Sequence, residues 1–343
     1  MKNFFEWIIS LTGIAVSILL VASWGSGFVN PVNNWFVSIL ALTFPYVFLL
    51  AIPVALLGLA VKNIKSWILI VLLVLTSGTF RKSFFNQSLK PSYSVTSSLS
   101  LITHNIGSSL EGNQRIKWSF YKNMDADILC FQEWYEPTNA RPIKDSIMQY
   151  YKSTLRQNPN PWPIFTRYPI LNQGEIRSKA IGNGVTWADI LYEKDTIRIY
   201  NVHLVSNRIS NQTEALMNGD NLRKKNSARR VMDVMKRYRN ALKIRVEQAR
   251  IIKTHINKSP YPVILAGDFN DIPSSYVFRH MQKGLFDSFY KSGNGMAYTY
   301  AGKLPFLRID HVLYDHSFIC QDIQIKRVNY SDHFPVKVKM AMK

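Results

Sequence analysis

A chain of 343 residues can hold one large domain with an accessory region, or two ordinary domains, so burial of a sizeable core is not limiting. Its formal net charge of +20 and pI of 9.9 favour anionic partners such as nucleic acid, acidic lipid headgroups or phosphorylated metabolites, without choosing among them. Cys and His spacings of the zinc-binding kind are absent, and two cysteines, Cys130 and Cys320, each inside an apolar run, read as small buried hydrophobes and are too few to assign a redox compartment.

The chain opens in a different solvent from the one in which it ends. Residues 4–24 carry a single charge, Glu6, and a helix of that length crosses the roughly 30 Å hydrocarbon layer. A cleaved signal peptide is the competing reading, but a second, uncharged apolar run at 35–61 follows at once, so cleavage would leave a membrane protein. That run contains Pro45 and Pro53, which predict kinks, and Trp24 and Trp35 flank the intervening loop like interfacial anchors. A third run, 66–80, is short for a span unless Lys65, Arg81 and Lys82 snorkel outward. With three spans the Lys and Arg count is tied, Lys2, Lys62 and Lys65 on one side against Arg81, Lys82 and Lys90 on the other. The uncharged loop 25–34 suits the outer face, which puts the downstream domain outside, on the periplasmic or extracellular side.

The membrane region is therefore expected over 1–85. Residues 86–98 turn to Ser, Thr, Gln and Pro and read as a short tether, with a soluble domain over 99–343. Strand-like runs recur at 99–104, 127–131, 185–192, 196–204, 261–269, 308–314 and 334–340, with helical patterns between several of them, which predicts an α/β or α+β class with mixed sheets. A basic insertion spans 205–256. Its first part, 205–227, is polar, and a long helix follows over 228–256 with Val231, Met235, Tyr238, Leu242, Val246, Ala249 and Ile252 on one narrow apolar face. From Arg208 to Lys258 there are 14 Lys or Arg against Glu214, Asp220, Asp233 and Glu247. Such a helix can be a solvated face, track a phosphate backbone, or rest on an anionic bilayer.

Four strand ends terminate in carboxylate, amide and imidazole groups: Gln132-Glu133, Asn201-Val202-His203, Gly267-Asp268-Phe269-Asn270-Asp271 and Ser331-Asp332-His333, while Asp310-His311 opens a further strand. Hard oxygen donors at strand ends suit magnesium, which prefers a few carboxylates with water and substrate oxygens, and the histidines could serve phosphate oxygens. Each cluster alone has a plain structural alternative: Asp268 a turn or cap, His203 a core histidine, Ser331-Asp332 a cap.

Taken in order, Thr103-His104-Asn105-Ile106, Gln132-Glu133, Thr166-Arg167-Tyr168-Pro169-Ile170, His203-Leu204, Gly267-Asp268-Phe269-Asn270, Ile309-Asp310-His311 and Ser331-Asp332-His333 resemble the motifs of the endonuclease/exonuclease/phosphatase superfamily, the deoxyribonuclease I-like proteins. The resemblance covers about residues 99–343. It implies a four-layer sandwich, two mixed β-sheets face to face with helices outside, and an active site at one end. By position it implies Glu133 as principal metal ligand with Asn105 and Asp332 close to the same or a second cation, Mg2+ or Mn2+. Asp268 and Asn270 would orient the attacking water and the phosphate, His203 and His333 would bracket the phosphate oxygens, and Asp310 would hold the ring of His333. His104 stands where relatives often have an aromatic residue and reads as a strand histidine. Tyr168 reads as packing behind the site, and Asp271 and His311 as facing away from it or lying in a turn.

These features lead to the expectation of a membrane-anchored phosphodiesterase or phosphatase. The basic excess favours nucleic acid as substrate, whereas the anchor favours a phospholipid or sphingomyelin headgroup, with an inositol-type phosphatase a further member of the class. A non-catalytic module in which the basic helix binds anionic partners is the alternative from a different class.

Overall fold

The computed structural model describes residues 2–64, 66–88, 98–107, 118–135, 141–154, 161–177, 183–206, 227–302 and 306–343. Most of the expected tether and most of the polar insertion, 89–97 and 207–226, lie outside the described residues.

Three apolar helices come first, α1 (Lys2–Gly25), α2 (Trp35–Ala60) and α3 (Ser66–Ser83), and each is long and apolar enough to cross a membrane. They pack on one another through Val16, Leu20, Phe44, Phe48, Ala51, Ala55 and Leu69. α2 runs through Pro45 and Pro53 as one helix, and Asn34 caps its start by accepting from Val37 N. α3 extends three residues past the expected end, taking Arg81 and Lys82 into its last turn.

The helices that follow are α4 (Trp118–Met124), α5 (Arg141–Met148), α6 (Ser227–Asn257), α7 (Tyr276–Gln282) and α8 (Ser288–Ser292). The strands are β1 (Phe85–Gln87), β2 (Leu99–Asn105), β3 (Ile128–Gln132), β4 (Lys152–Ser153), β5 (Ile164–Thr166), β6 (Ile170–Arg177), β7 (Gly184–Tyr192), β8 (Asp195–His203), β9 (Val263–Asp268), β10 (Phe286–Asp287), β11 (Asn294–Met296), β12 (Asp310–Tyr314), β13 (Phe318–Ile325) and β14 (Val336–Met342). One six-stranded sheet has the order β10-β12-β9-β8-β7-β6 and the other β13-β14-β2-β3-β5-β4. Each is antiparallel except at one central parallel pair, β8 with β9 and β2 with β3.

Strand alternation builds the layers. In β3, Ile128 and Cys130 face the core between the sheets, while Leu129 and Phe131 face outward onto a second core formed with α4 and α5. In β9, Ile264 and Ala266 point inward, and Val263 and Leu265 lie under α6 and α7. Both faces of β3 and β9 are covered, which is why these two read as continuous apolar runs. The result is the expected sandwich of two mixed sheets flanked by helices. Cys130 and Cys320 are free and buried in the core between the sheets, with thiols pushed up by burial, Cys320 to about 12.

Two features join the sandwich to the apolar helices. Directly after α3, β1 pairs antiparallel with β11, and the buried amide of Asn86 donates to Phe289 O, Tyr290 O and Gly293 O. The sandwich also rests on α2. Trp35, Ile39 and Leu42 at the head of α2 pack against the core under α6 and α7, Ser274 Oγ donates to Ala41 O at 2.8 Å, and the Arg279 guanidinium lies 4.1 Å from the centre of the Phe28 ring. A 26-residue helix is about 39 Å long at 1.5 Å per residue, so the head of α2 can stand clear of the hydrocarbon and serve as a seat.

Candidate active site

Two parallel strand pairs at the centres of facing sheets bring four strand ends to one end of the sandwich. These deliver Asn105 from β2, Glu133 just past β3, His203 from β8 and Asp268 from β9; the start of β12 supplies Asp310 and the approach to β14 supplies His333. The sheets are locked together below this end by two buried amides. Gln132 Nε2 donates to Asn201 Oδ1 at 2.6 Å and to Thr103 Oγ1 at 3.0 Å, and Asn201 Nδ2 donates to the carbonyls of Phe131 and Pro163.

The polar side chains form one connected network. Asn105 Nδ2 donates to Glu133 Oε1 at 3.1 Å and to Asp268 Oδ2 at 3.0 Å. His203 Nε2 lies 3.5 Å from Glu133 Oε1 and 3.7 Å from Asp268 Oδ2. Asp268 also accepts from Asn270 N at 2.8 Å and Asn270 Nδ2 at 2.9 Å, so Asn270 orients that carboxylate and ties it to Leu204 O. His333 Nδ1 sits 2.9 Å from Asp310 Oδ2, and its Nε2 is 3.9 Å from Asp268 Oδ2. All eight residues singled out in the sequence fall here, with Asp332 exposed at the rim beside His333.

The backbone is strained where the side chains must be aimed. Glu133 has φ of 57°, a region that costs such a residue on the order of 1–2 kcal/mol, and Asn270 has φ of 50°, which asparagine tolerates more readily. Gly267 has φ of 145°, and a Cβ there would stand 2.0 Å from Val202 O, so only glycine lets β9 approach β8 immediately before Asp268. A Cβ at Gly107 would lie 3.6 Å from Ser331 Oγ, 3.7 Å from Asp332 Oδ1 and 3.8 Å from Glu133 Oε2, so both carboxylates border the space beside Gly107.

Burial sets the charge states. It raises the Asp268 carboxyl to about 6, against the pull of His333 and His203. For His333 burial works toward the neutral ring, but Asp310 and then Asp268 outweigh it and raise the imidazole to about 10. Asp268, Asp310 and His333 offer ligand atoms within 4.8 Å of one another. His333 Nδ1 is already committed to Asp310, whereas Glu133, its side chain 34% exposed, and Asp332 present oxygen to the open end. Hard donors of that kind suit a divalent cation.

Other residues support the site, and two of them, Asn183 and Thr299, left no mark in the sequence. Asn183 Nδ2 lies 3.3 Å from His203 Nδ1 and donates to Leu204 O, steadying that ring, yet it stands just before β7 in an undistinguished Gly-Asn-Gly sequence. Thr299 Oγ1 accepts from Ile309 N and Asp310 N at 3.1 and 3.0 Å. Ser331 Oγ donates to Asn105 O, linking β2 to the His333 loop. His104 is buried, bonded to the Tyr121 hydroxyl and to His333 O, and lowered to about 3 by burial, so it braces the loop from behind. His311 and Asp271 face away from the site and pair with each other, His311 Nε2 with Asp271 O. Tyr168 is misplaced by the sequence reading. It packs on Tyr192 at the other end of the sandwich, beside Thr166, which pairs with Ile128 at the start of β3.

The sequence pattern of the Endonuclease/Exonuclease/phosphatase family matches residues 102–333. The chain belongs to this family. No curated protein matches it in sequence. Among solved structures, an endonuclease/exonuclease/phosphatase family protein from Bacteroides thetaiotaomicron superposes with a TM-score of 0.52 at 19% identity, over 72% of this chain and 98% of that one. A mannosyl-6-phosphatase from the same organism gives 0.52 at 19% identity over 71% and 100%. D. rerio TDP2 complexed with a single-strand DNA product gives 0.52 at 16% identity over 72% and 100%. At these identities the likeness is one of fold.

Proposed function

We propose that the chain is a membrane-anchored, divalent-cation-dependent phosphoester hydrolase in which water attacks phosphorus in line. The observation that carries this reading is the single network joining Asn105, Glu133, His203, Asp268 and Asn270, with the His333–Asp310 pair against Asp268.

Glu133, Asn105 and Asp332 would hold Mg2+ or Mn2+. The cation, when bound, supplies positive charge to the phosphate oxygens. Asp268, its two oxygens fixed by Asn105 and Asn270, orients the water and takes its proton. His333 is poor at accepting that proton, because Asp310 keeps the ring protonated; it acts instead as a fixed cation and donor for the charge developing on phosphate oxygens and leaving group. His203, steadied by Asn183, holds the phosphate from the opposite side.

The end of α1, the start of α2 and the end of α3 share the side of the catalytic domain, leaving Lys2 and Lys62 on the other. On the domain side Arg81 Nε donates to Asn86 Oδ1 at 2.8 Å and Lys82 Nζ to Gln282 Oε1 at 3.2 Å, so both are engaged by protein. The basic count on the two sides is tied, so the preference for an internal N-terminus and an external catalytic domain rests on the uncharged loop 25–34. A lipid-borne phosphoester is the second reading of the substrate, favoured by the seating of the sandwich directly on α2.

The test uses the full chain in nanodiscs with DNA, RNA, sphingomyelin, glycerophospholipids, inositol phosphates and bis-p-nitrophenyl phosphate, each with Mg2+, Mn2+ or chelator. Hydrolysis that needs the cation and disappears in folded Asp268→Ala and His333→Ala variants is the expected result. Wild-type rates in either variant would overturn the assignment.

A further inference from the structure

We propose that the end of the third apolar helix positions the catalytic pair His333–Asp310, acting through Thr299, so that Phe84 and Thr299 are positioning residues and the anchor is part of the active-site scaffold. The proposal rests on the hydrolase reading for its kinetic consequence, and on the geometry alone for its structural one.

The contacts form an unbroken path. Phe48 of α2 stacks on Phe80 of α3 at 4.2 Å between centroids, and Phe80 on Phe84 at 5.3 Å. Phe84 meets Phe306 edge-on at 5.3 Å, and its carbonyl accepts from Ala297 N at 2.8 Å. Phe306 packs edge-on against Tyr298, and Tyr298 against Phe334, both at 5.8 Å. Between these rings Thr299 is fully buried and makes four hydrogen bonds. Its N donates to Leu307 O, its carbonyl accepts from Phe334 N at 2.7 Å, and its Oγ1 accepts from Ile309 N and Asp310 N. One residue therefore fixes the backbone of Asp310 and that of Phe334, next to His333.

The physical reason for a coupling is that aromatic contacts of this kind are stiff, and buried N–H groups without an acceptor are costly. A shift of the Phe84 carbonyl moves Ala297, two residues from Thr299, and Thr299 carries both halves of the ion pair. A tether would transmit nothing; a β1 strand paired with β11 and a ring packed on Phe306 do.

The test compares Thr299→Val, Thr299→Ser, Phe84→Ala and Leu75→Ala in the full-length chain. Leu75 is 67% exposed on the outward side of α3 and serves as the control. Two readouts are taken. The first is steady-state hydrolysis of bis-p-nitrophenyl phosphate with Mn2+. The second, without metal, is the far-downfield Nδ1–H resonance of His333 in 15N-histidine-labelled protein, assigned by its loss in His333→Gln.

Thr299→Val should lower kcat roughly tenfold to a hundredfold while KM stays within about twofold, as displacement of catalytic groups does. It should also broaden or shift the resonance. Thr299→Ser should restore both, Phe84→Ala should show the same signature at smaller size, and Leu75→Ala should match wild type. An unchanged resonance and kcat in Thr299→Val, or failure of Thr299→Ser to rescue, would overturn the role of Thr299. Phe84→Ala behaving as Leu75→Ala would overturn the link to the anchor. If the wild-type chain hydrolyses nothing, the enzymatic reading fails, and the resonance still decides the positioning separately.

Discussion

Replacing Asp310 by Asn removes a charge while keeping a carbonyl oxygen in reach of His333 Nδ1, which isolates the electrostatic part of that contact. In the folded protein the imidazole is raised from 6.5 to about 10, a preference for the cation on the order of 5 kcal/mol at about 1.4 kcal/mol per unit. Burial opposes it, so once Asp310 is neutral only Asp268 and the more exposed Asp332 still favour the cation, and the ring should titrate near its ordinary value. The sign follows: a group whose pKa is raised is charged below that value, so the wild-type enzyme should hold its rate into alkaline solution. The variant should lose it as pH rises through the neutral range. At pH 8 a ring with a pKa of 6.5 is only about 3% protonated, so kcat/KM should fall roughly 30-fold, whereas at pH 6 the loss should be slight. The assay is kcat/KM between pH 5.5 and 9.5 on a diester with saturating Mn2+. A descending limb that does not move, or an equal loss at pH 6 and pH 8, would refute a working imidazolium.

Other outcomes follow from the same contacts. Glu133→Gln should raise the Mn2+ concentration for half-maximal activity at least roughly tenfold, while Asp310→Asn leaves it nearly unchanged; the reverse order, read by metal titration, would move the cation to the Asp268, Asp310 and His333 group. Arg308→Ala should lower stability by about 3–5 kcal/mol, seen as a fall in Tm, because it strands Asp287 in a bidentate pair whose members are 2% and 0% exposed. His104, lowered by burial to about 3, and His311, held by burial well below its ordinary value, stay neutral in the fold, so the unfolded chain takes up more protons below pH 6.5. The stability they contribute is complete above that value and is lost as pH falls toward about 3. Thermal unfolding in chelator between pH 7.5 and 5 should show the slope, and His104→Gln should reduce it.

The strands that carry the site were legible because they are buried on both faces. β3 and β9 appear as short apolar runs and β8 as one broken by Arg198 and Asn201, and their ends differ from the expected ones by no more than about two residues. β6 was missed because its residues, Ile-Leu-Asn-Gln-Gly-Glu-Ile-Arg, lie at a half-exposed sheet edge and show no such run. Among the site residues, those at strand ends stood out by type. Asn183 and Thr299 did not, since an amide between glycines and a threonine between tyrosines become informative only when a distant partner arrives. The head of α2 was invisible for a different reason. Trp35, Ile39 and Leu42 belong to a helix apolar on every side, and hydrophobicity alone does not tell lipid from another protein surface.

That seat has a consequence for how the molecule meets what it works on. A catalytic head clamped by Ser274, Arg279 and the Trp35 end of α2 cannot swivel on a leash. In a bilayer its mouth would keep one height and one heading, and encounters would be governed by sliding in two dimensions instead of by tumbling.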